Sequence, residues 1–161
     1  MRRSLLPTLS VALILFACSD APSPEQPPSA DAGLYFPTAG SEAMMQALFR
    51  GPLVVRADCV LAGEPGSYIL PIWQEGFTLG RDDQSRVLVR NADGATVAIE
   101  GEVFEMGGGY IAEFEPSDRV DPRDAQLRAV AEMTGNTIPQ RCLGPDVYGV
   151  WWAGETQPIS A

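Results

Sequence analysis

The stretch VAIEGEVFEMGGGYIAEF, residues 97–114, decides the fold. Apolar and acidic side chains alternate in places on either side of Gly101-Glu102, which is the two-residue period of a strand and not the 3.6-residue period of a helix. Gly101-Glu102 reads as a turn, Val103 and Phe104 as a brief apolar step, and YIAEF at residues 110–114 as another strand. Between them, Gly107-Gly108-Gly109 has two readings. Glycine runs cradle phosphates through backbone N–H groups when a strand precedes, a helix follows and a lysine is at hand. Here strands lie on both sides, the chain contains no lysine, and Glu102 and Glu105 repel an anion. A tight turn or bulge is therefore expected.

Working outward, RVLVR (residues 86–90) and TVAIE (residues 96–100) flank Asn91-Ala92-Asp93-Gly94, the composition of a hairpin loop. YILPIW, residues 68–73, is an apolar strand in which Pro71 points to an edge or a bulge. RGPLVVRADCVL, residues 50–61, reads as a strand entered through a bend at Gly51-Pro52, and DVYGVWW, residues 146–152, as the last strand. One helix interrupts the pattern. Asp121 caps it, Pro122 occupies its first turn, Leu127, Val130 and Ala131 share a side, and Gly135-Asn136 stops it. Residues 41–49 predict a second, shorter helix, although they equally suit an extension of the strand at Arg50.

Short strands, many turns and one inserted helix predict a mainly β fold, a small antiparallel barrel that is closed or nearly so. Residues 97–114 resemble a corner of an OB-like barrel. Residues 68–110, with an aromatic-rich strand, a Gly-Phe turn, a hairpin and a triple glycine, are similar to an uncharacterised domain type of exported bacterial proteins. That type has no assigned activity, so the resemblance carries no functional residue across.

The amino-terminal end has a different character. Arg2 and Arg3 precede a thirteen-residue apolar segment at residues 5–17, interrupted only by Pro7, Thr8 and Ser10. Thirteen helical residues span roughly 20 Å, short of the ~30 Å hydrocarbon core, so a signal-peptide core fits better than a membrane span. The segment ends Leu15-Phe16-Ala17-Cys18, which resembles the lipobox of bacterial lipoproteins, with Phe16 bulkier than that pattern prefers. An ordinary secretory signal wants small residues at two alternate positions, and the Phe16 region offers little of that. The resemblance implies cleavage before Cys18 and a diacylglyceryl thioether plus an N-acyl chain on it. Several chains together anchor durably where one binds at only about 10⁴ M⁻¹. Ser19, in place of the aspartate that retains many such proteins at the inner membrane, implies an outer-membrane destination in a bacterial cell envelope. Pro22, Pro24, Pro27 and Pro28 then fix φ and remove donors, so residues 18–32 read as a lipidated cysteine on an extended, disordered tether. Residues 33–161 remain for one β-rich domain.

Beyond the leader there are nine arginines against 21 acids, a net charge of −12, and neither lysine nor histidine anywhere. Such a body disfavours nucleic acid and anionic lipid surfaces, which need basic patches. With Cys18 assigned to lipid, Cys59 and Cys142 are an even pair in an exported domain and predict a structural disulfide. A redox or metal role needs a C-x-x-C spacing or further ligands, which the chain lacks.

Three chemistries come into question for the domain. Serine or cysteine nucleophiles lack their usual histidine base, and the serine–lysine variant lacks its lysine. Glu100, Glu102, Glu105, Glu113 and Glu115 are the one catalytic resource, and a carboxylate-dependent hydrolase is the alternative function they allow. The same acids, with Asp82, Asp83 or Asp93, would hold calcium only in a D-x-D-x-D-G loop, which is incomplete. A solvated acidic face is the expectation, with no metal and no cofactor. The aromatic residues Trp73, Phe77, Tyr148, Trp151 and Trp152 are the candidate binding residues, as the lining of a cleft for a sugar or peptide. Since adjacent side chains face opposite sides of a strand, at least one of Trp151 and Trp152 is expected to be partly exposed. The sequence thus predicts a non-enzymatic envelope lipoprotein that is tethered to the membrane by its lipid and binds an unidentified envelope protein, peptide or glycan.

Overall fold

A strand that alternates its side chains must find cover for each face, and this chain covers both. The computed structural model describes residues 33–40, 46–114 and 120–158, without the side chains of residues 120–122. The expected leader, Cys18 and the tether lie outside the described residues. In chain order the elements are β1 (Thr38–Ala39), β2 (Ala47–Arg56), β3 (Cys59–Ala62), β4 (Tyr68–Gln74), β5 (Thr78–Arg81), β6 (Val87–Arg90), β7 (Thr96–Ile99), β8 (Val103–Glu113), α1 (Val120–Thr134), a 3₁₀ turn at Gln140–Cys142, and β9 (Val147–Pro158).

Five strands close into a barrel in the order β4-β3-β2-β8-β9, with β9 returning to pair with β4. Numbered along the chain, the barrel strands β2, β3, β4, β8 and β9 run 1-2-3-5-4 around the wall, an OB-like order. One expectation is corrected here. The barrel is not wholly antiparallel, because the closing pair β4–β9 is parallel, with Leu70 opposite Val150 and Ile72 opposite Trp152. The third and fourth barrel strands are joined by the antiparallel sheet β5-β6-β7, and the fourth and fifth by α1.

Alternation assigns the side chains. Val60 and Ala62 of β3, Ile69 and Trp73 of β4, Phe104 and Met106 of β8, and Trp151 and Ala153 of β9 turn into one buried cluster, joined by Phe77 just before β5 and by Val89, Val97 and Ala98 from the small sheet. Their neighbours Cys59, Leu61, Tyr68, Leu70, Ile72 and Val150 turn the other way into a second cluster with Val130 of α1. This explains why YILPIW is apolar at every position: its strand is buried on both faces.

Several local expectations change. Residues 47–49 belong to β2 and not to a helix, while residues 41–45 lie outside the described residues. Residues 50–61 form two strands, because Arg56 pairs with Cys59 around a two-residue turn in which Ala57 (φ 51°) and Asp58 (φ 57°) are both left-handed. Pro71 is not on an edge. Its nitrogen faces the side where Trp73 N–H bonds Pro37 O, in the gap between the β3 partner of Ile69 and the β1 partner of Trp73, so no ladder donor is lost. Helix α1 opens at Val120, placing Asp121 inside it, and it stops at Gly135 (φ 70°), whose N–H bonds Ala131 O.

Other readings hold. Residues 91–95 connect the β6–β7 hairpin, with Asn91 Oδ1 accepting from the N–H groups of Asp93 and Ala95. Cys59 and Cys142 are bonded, their Cα atoms 5.6 Å apart, joining the start of β3 to the 3₁₀ turn before β9. The glycine run, by contrast, sits opposite a bulge and is not one itself: Gly107 and Gly108 keep regular register with Leu48 and Ala47 inside one continuous strand, and the β8–β9 shift between Met106 and Gly108 puts the extra residue on β9.

Candidate site at the barrel mouth

The expected aromatic cleft is not assembled as the sequence suggests. Trp73 is fully buried, stacked between Phe36 (5.4 Å) and Phe77 (6.0 Å) with Phe104 at 6.1 Å. Phe77, Trp151 and Trp152 are buried as well, so both members of the Trp151-Trp152 pair are enclosed. The reason is that each face of β9 has its own cover, which a single strand's sequence does not reveal. Of the five candidates only Tyr148 reaches the surface, at 36% exposure.

Tyr148 has company. Its ring meets that of Tyr110, also 36% exposed, with centroids 5.7 Å apart and planes at 74°. Tyr110 in turn packs edge-on against Trp151 at 4.9 Å. Three backbone devices bring these groups together. Tyr68 pairs with Val147 and Ile69 with Gly149, so Tyr148 is the extra residue of a bulge in β9. A second shift leaves Ile111 extra in β8, so that Tyr110 stands opposite Trp151 and Glu113 opposite Gly149. Cross-strand partners share a face, so Tyr110 and Glu113 lie on the face that carries Trp151 inward, at the barrel end where β8 finishes and β9 begins. Third, Gly149 has no side chain. A Cβ there would overlap Ala112 O and come 3.0 Å from Tyr110 Cδ1, so the glycine makes room for the tyrosine ring. Burial raises the pKa of the Tyr110 phenol, and the Glu113 charge and Tyr148 raise it further. The mouth is thus a phenol, Tyr110, with a second phenol and a carboxylate each within electrostatic reach of it.

Asp82, Glu100, Glu102 and Glu105 have structural partners. Arg86 Nε donates to Asp82 Oδ2 and its NH1 to Glu102 Oε1, both at 2.7 Å. Glu100 Oε2 accepts from Val87 N–H at 2.9 Å, and Glu105 Oε2 from Gln157 Nε2 at 3.4 Å. For Asp82, burial works to raise the pKa, but hydrogen bonds from the N–H groups of Arg86 and Gln84 and from the Arg86 guanidinium outweigh it and hold the carboxyl below its usual range. Among the described residues, no group of three or more His, Cys, Asp or Glu is placed to hold a metal ion. Glu115 lies outside the described residues.

Two shallow depressions lie elsewhere. One, of about 140 Å³, is lined by Arg56, Arg141, Cys142, Gly144 and Asp146, and there Arg56 is ion-paired with Asp146 and stacked over Tyr68 at 5.5 Å. The other, of about 160 Å³, lies beside Leu48, Glu105, Gly107 and Glu155. Both are smaller than the roughly 300 Å³ at which small-molecule sites begin.

The sequence pointed to Tyr148, and to Glu113 only as one of several acids, but not to Tyr110 or to the three coming together. The one available signal was the pair of glycines, at 109 and 149, that flank these tyrosines in chain order. No protein-family model, curated protein or solved structure matches the chain. Among the described residues, no helix is long and apolar enough to cross a membrane.

Proposed function

We propose that the chain is a non-enzymatic lipoprotein of a bacterial cell envelope, held to the outer membrane through Cys18, whose barrel works by binding an envelope protein, peptide or glycan at the Tyr110–Tyr148 mouth. The observation that carries the binding role is the pair of half-exposed tyrosines, set side by side by two bulges and a glycine at the end of a closed barrel. Bulges re-aim side chains next to functional sites, and the mouths of barrels are common ligand sites. Anchoring rests on the sequence Leu15-Phe16-Ala17-Cys18 and the proline-rich stretch behind it. The carboxylate-hydrolase alternative draws less support, because Glu100, Glu102 and Glu105 are each engaged in framework hydrogen bonds.

The test is affinity capture from native envelopes with wild type and with Tyr110→Ala and Tyr148→Ala, each checked for an unchanged unfolding midpoint. Both substitutions should remove the same captured partner. Capture that survives both would overturn the site, and loss of cellular function in a stable Glu100→Gln, Glu102→Gln or Glu105→Gln variant would restore the hydrolase.

A further inference from the structure

The geometry points to a cationic ligand for this mouth: a lysine or arginine side chain on an extended segment of a partner protein, seated in the corner between the Tyr110 and Tyr148 rings with its charge turned toward Glu113. The inference rests on the mouth being the binding surface and goes on to name what it binds.

Three observations carry it. The ring planes stand at 74°, and Tyr110 is nearly perpendicular to Trp151 at 83°. A sugar ring stacks on a flat face, whereas two phenols at a steep angle form a corner that suits a compact charge. Aromatic faces carry the negative part of the ring quadrupole and attract such a charge. Secondly, Glu113 has no ion-pair partner among the described residues. Arg123, the nearest described arginine along the chain, is committed elsewhere, lying over the Phe114 ring at 4.5 Å and donating to Leu143 O at 3.0 Å. Thirdly, the chain beyond the leader carries nine basic residues against 21 acids, a net −12. A field of that sign draws cations to the surface and repels anions, which favours a basic protein segment over an acidic one. The mouth therefore joins long-range attraction to a local seat in which both rings and the carboxylate prefer positive charge.

The probe is a fluorescent (Gly-Lys-Ser)₄ peptide and its fully ε-acetylated form, titrated against the lipid-bearing full chain in detergent. The lysine peptide should bind about tenfold or more tightly than the acetylated one, a gap of the size a cation–π seat with a carboxylate produces. Glu113→Gln and Tyr148→Ala should each weaken it several-fold, while Glu155→Gln, on the wall of another depression, should leave it within about twofold. Equal binding of the two peptides would overturn the inference. So would an equal loss at Glu155, which would mean diffuse charge attraction with no seat. Purified cell-wall glycan separates the two levels. If Tyr110→Ala abolishes glycan binding and Glu113→Gln does not, the mouth stands and its cationic ligand falls. If neither tyrosine variant changes the binding of any probe, the mouth itself falls.

Discussion

Gly108 shows how far one missing methyl group can matter. Its φ is 139°, and a Cβ there would sit 2.6 Å from Trp151 Nε1 and closer still to Trp152 O. The clash is with main chain on a buried strand, which cannot step aside. Gly108→Ala should therefore lose at least about 3 kcal/mol in denaturant unfolding, combining backbone strain with overpacking. Tyr35 is the opposite case. Its hydroxyl is buried without a hydrogen-bond partner, and burial pushes its pKa up to about 12. Because the folded-state value is raised, its neutral form contributes stability that is complete below the ordinary value near 10 and is lost as pH climbs through about 12. Tyr35→Phe should be neutral or stabilising by up to about 1 kcal/mol at neutral pH, and should blunt alkaline unfolding between those limits. A midpoint that falls at pH 7 would show that the hydroxyl has a partner after all. The glycine run was legible as something other than a phosphate loop because its neighbours contradict one, but the extra residue of the bulge beside it lies on β9. The Ala57-Asp58 turn was not, since nothing in Ala-Asp announces two left-handed residues where Asn-Gly is the usual signal. Replacing Asp58 by Gly should relieve one of them and stabilise the hairpin by up to about 1 kcal/mol, read as a shift in urea midpoint at constant slope.

At the scale of elements, the disulfide fastens the β2–β3 hairpin to the approach of β9 across 83 residues of sequence. Both sulfurs belong to residues buried in the second cluster, beside Leu61, Val147 and Ile138. Replacing both cysteines by alanine should cost about 2–5 kcal/mol. Wild type in reductant strong enough to open the bond should show the same loss, and an unchanged midpoint in both would mean that the second cluster holds these elements unaided. The disulfide was readable from an even cysteine count, and the β6–β7 hairpin from Asn91 to Gly94. What sequence left hidden was partnership. Trp151 and Trp152 looked like a strand with one wet side, because alternation tells which residues share a face and not what lies over it. The parallel β4–β9 pair was hidden for the same reason, as its members are separated by most of the domain. Tyr148 was legible as an aromatic of interest and Glu113 as one acid among five, but Tyr110 and the meeting of the three enter only through two register shifts, which no periodicity records.

For the molecule as a whole, the acidic composition and the proposed lipid would act together, one favouring solubility of the body and the other holding it at a membrane. Cys18→Ala should abolish fatty-acid labelling and shift the protein to the soluble fraction, with the unfolding midpoint of the barrel unchanged. Membrane recovery that persists without label would sink the lipid anchor while leaving the mouth untouched. A salt series offers a further check on the charge. Association with a basic partner should slow as ionic strength rises past the ~10 Å screening length at 0.1 M, with a smaller effect on dissociation.

The closing seam also dictates an order of events. β4 waits for β9, so the wall closes only when the last of the barrel strands has left a channel that delivers the chain amino end first. Until then β4 and β8 each expose a strand edge, a template for pairing with any neighbouring chain. Contacts this distant in sequence form slowly, because the loop must be closed before the pairing rewards it. The vulnerable period is thus the emergence itself. A chain ending at residue 144 should aggregate or be degraded however well its hairpins form, and a holding chaperone should protect it only while the last strand is missing.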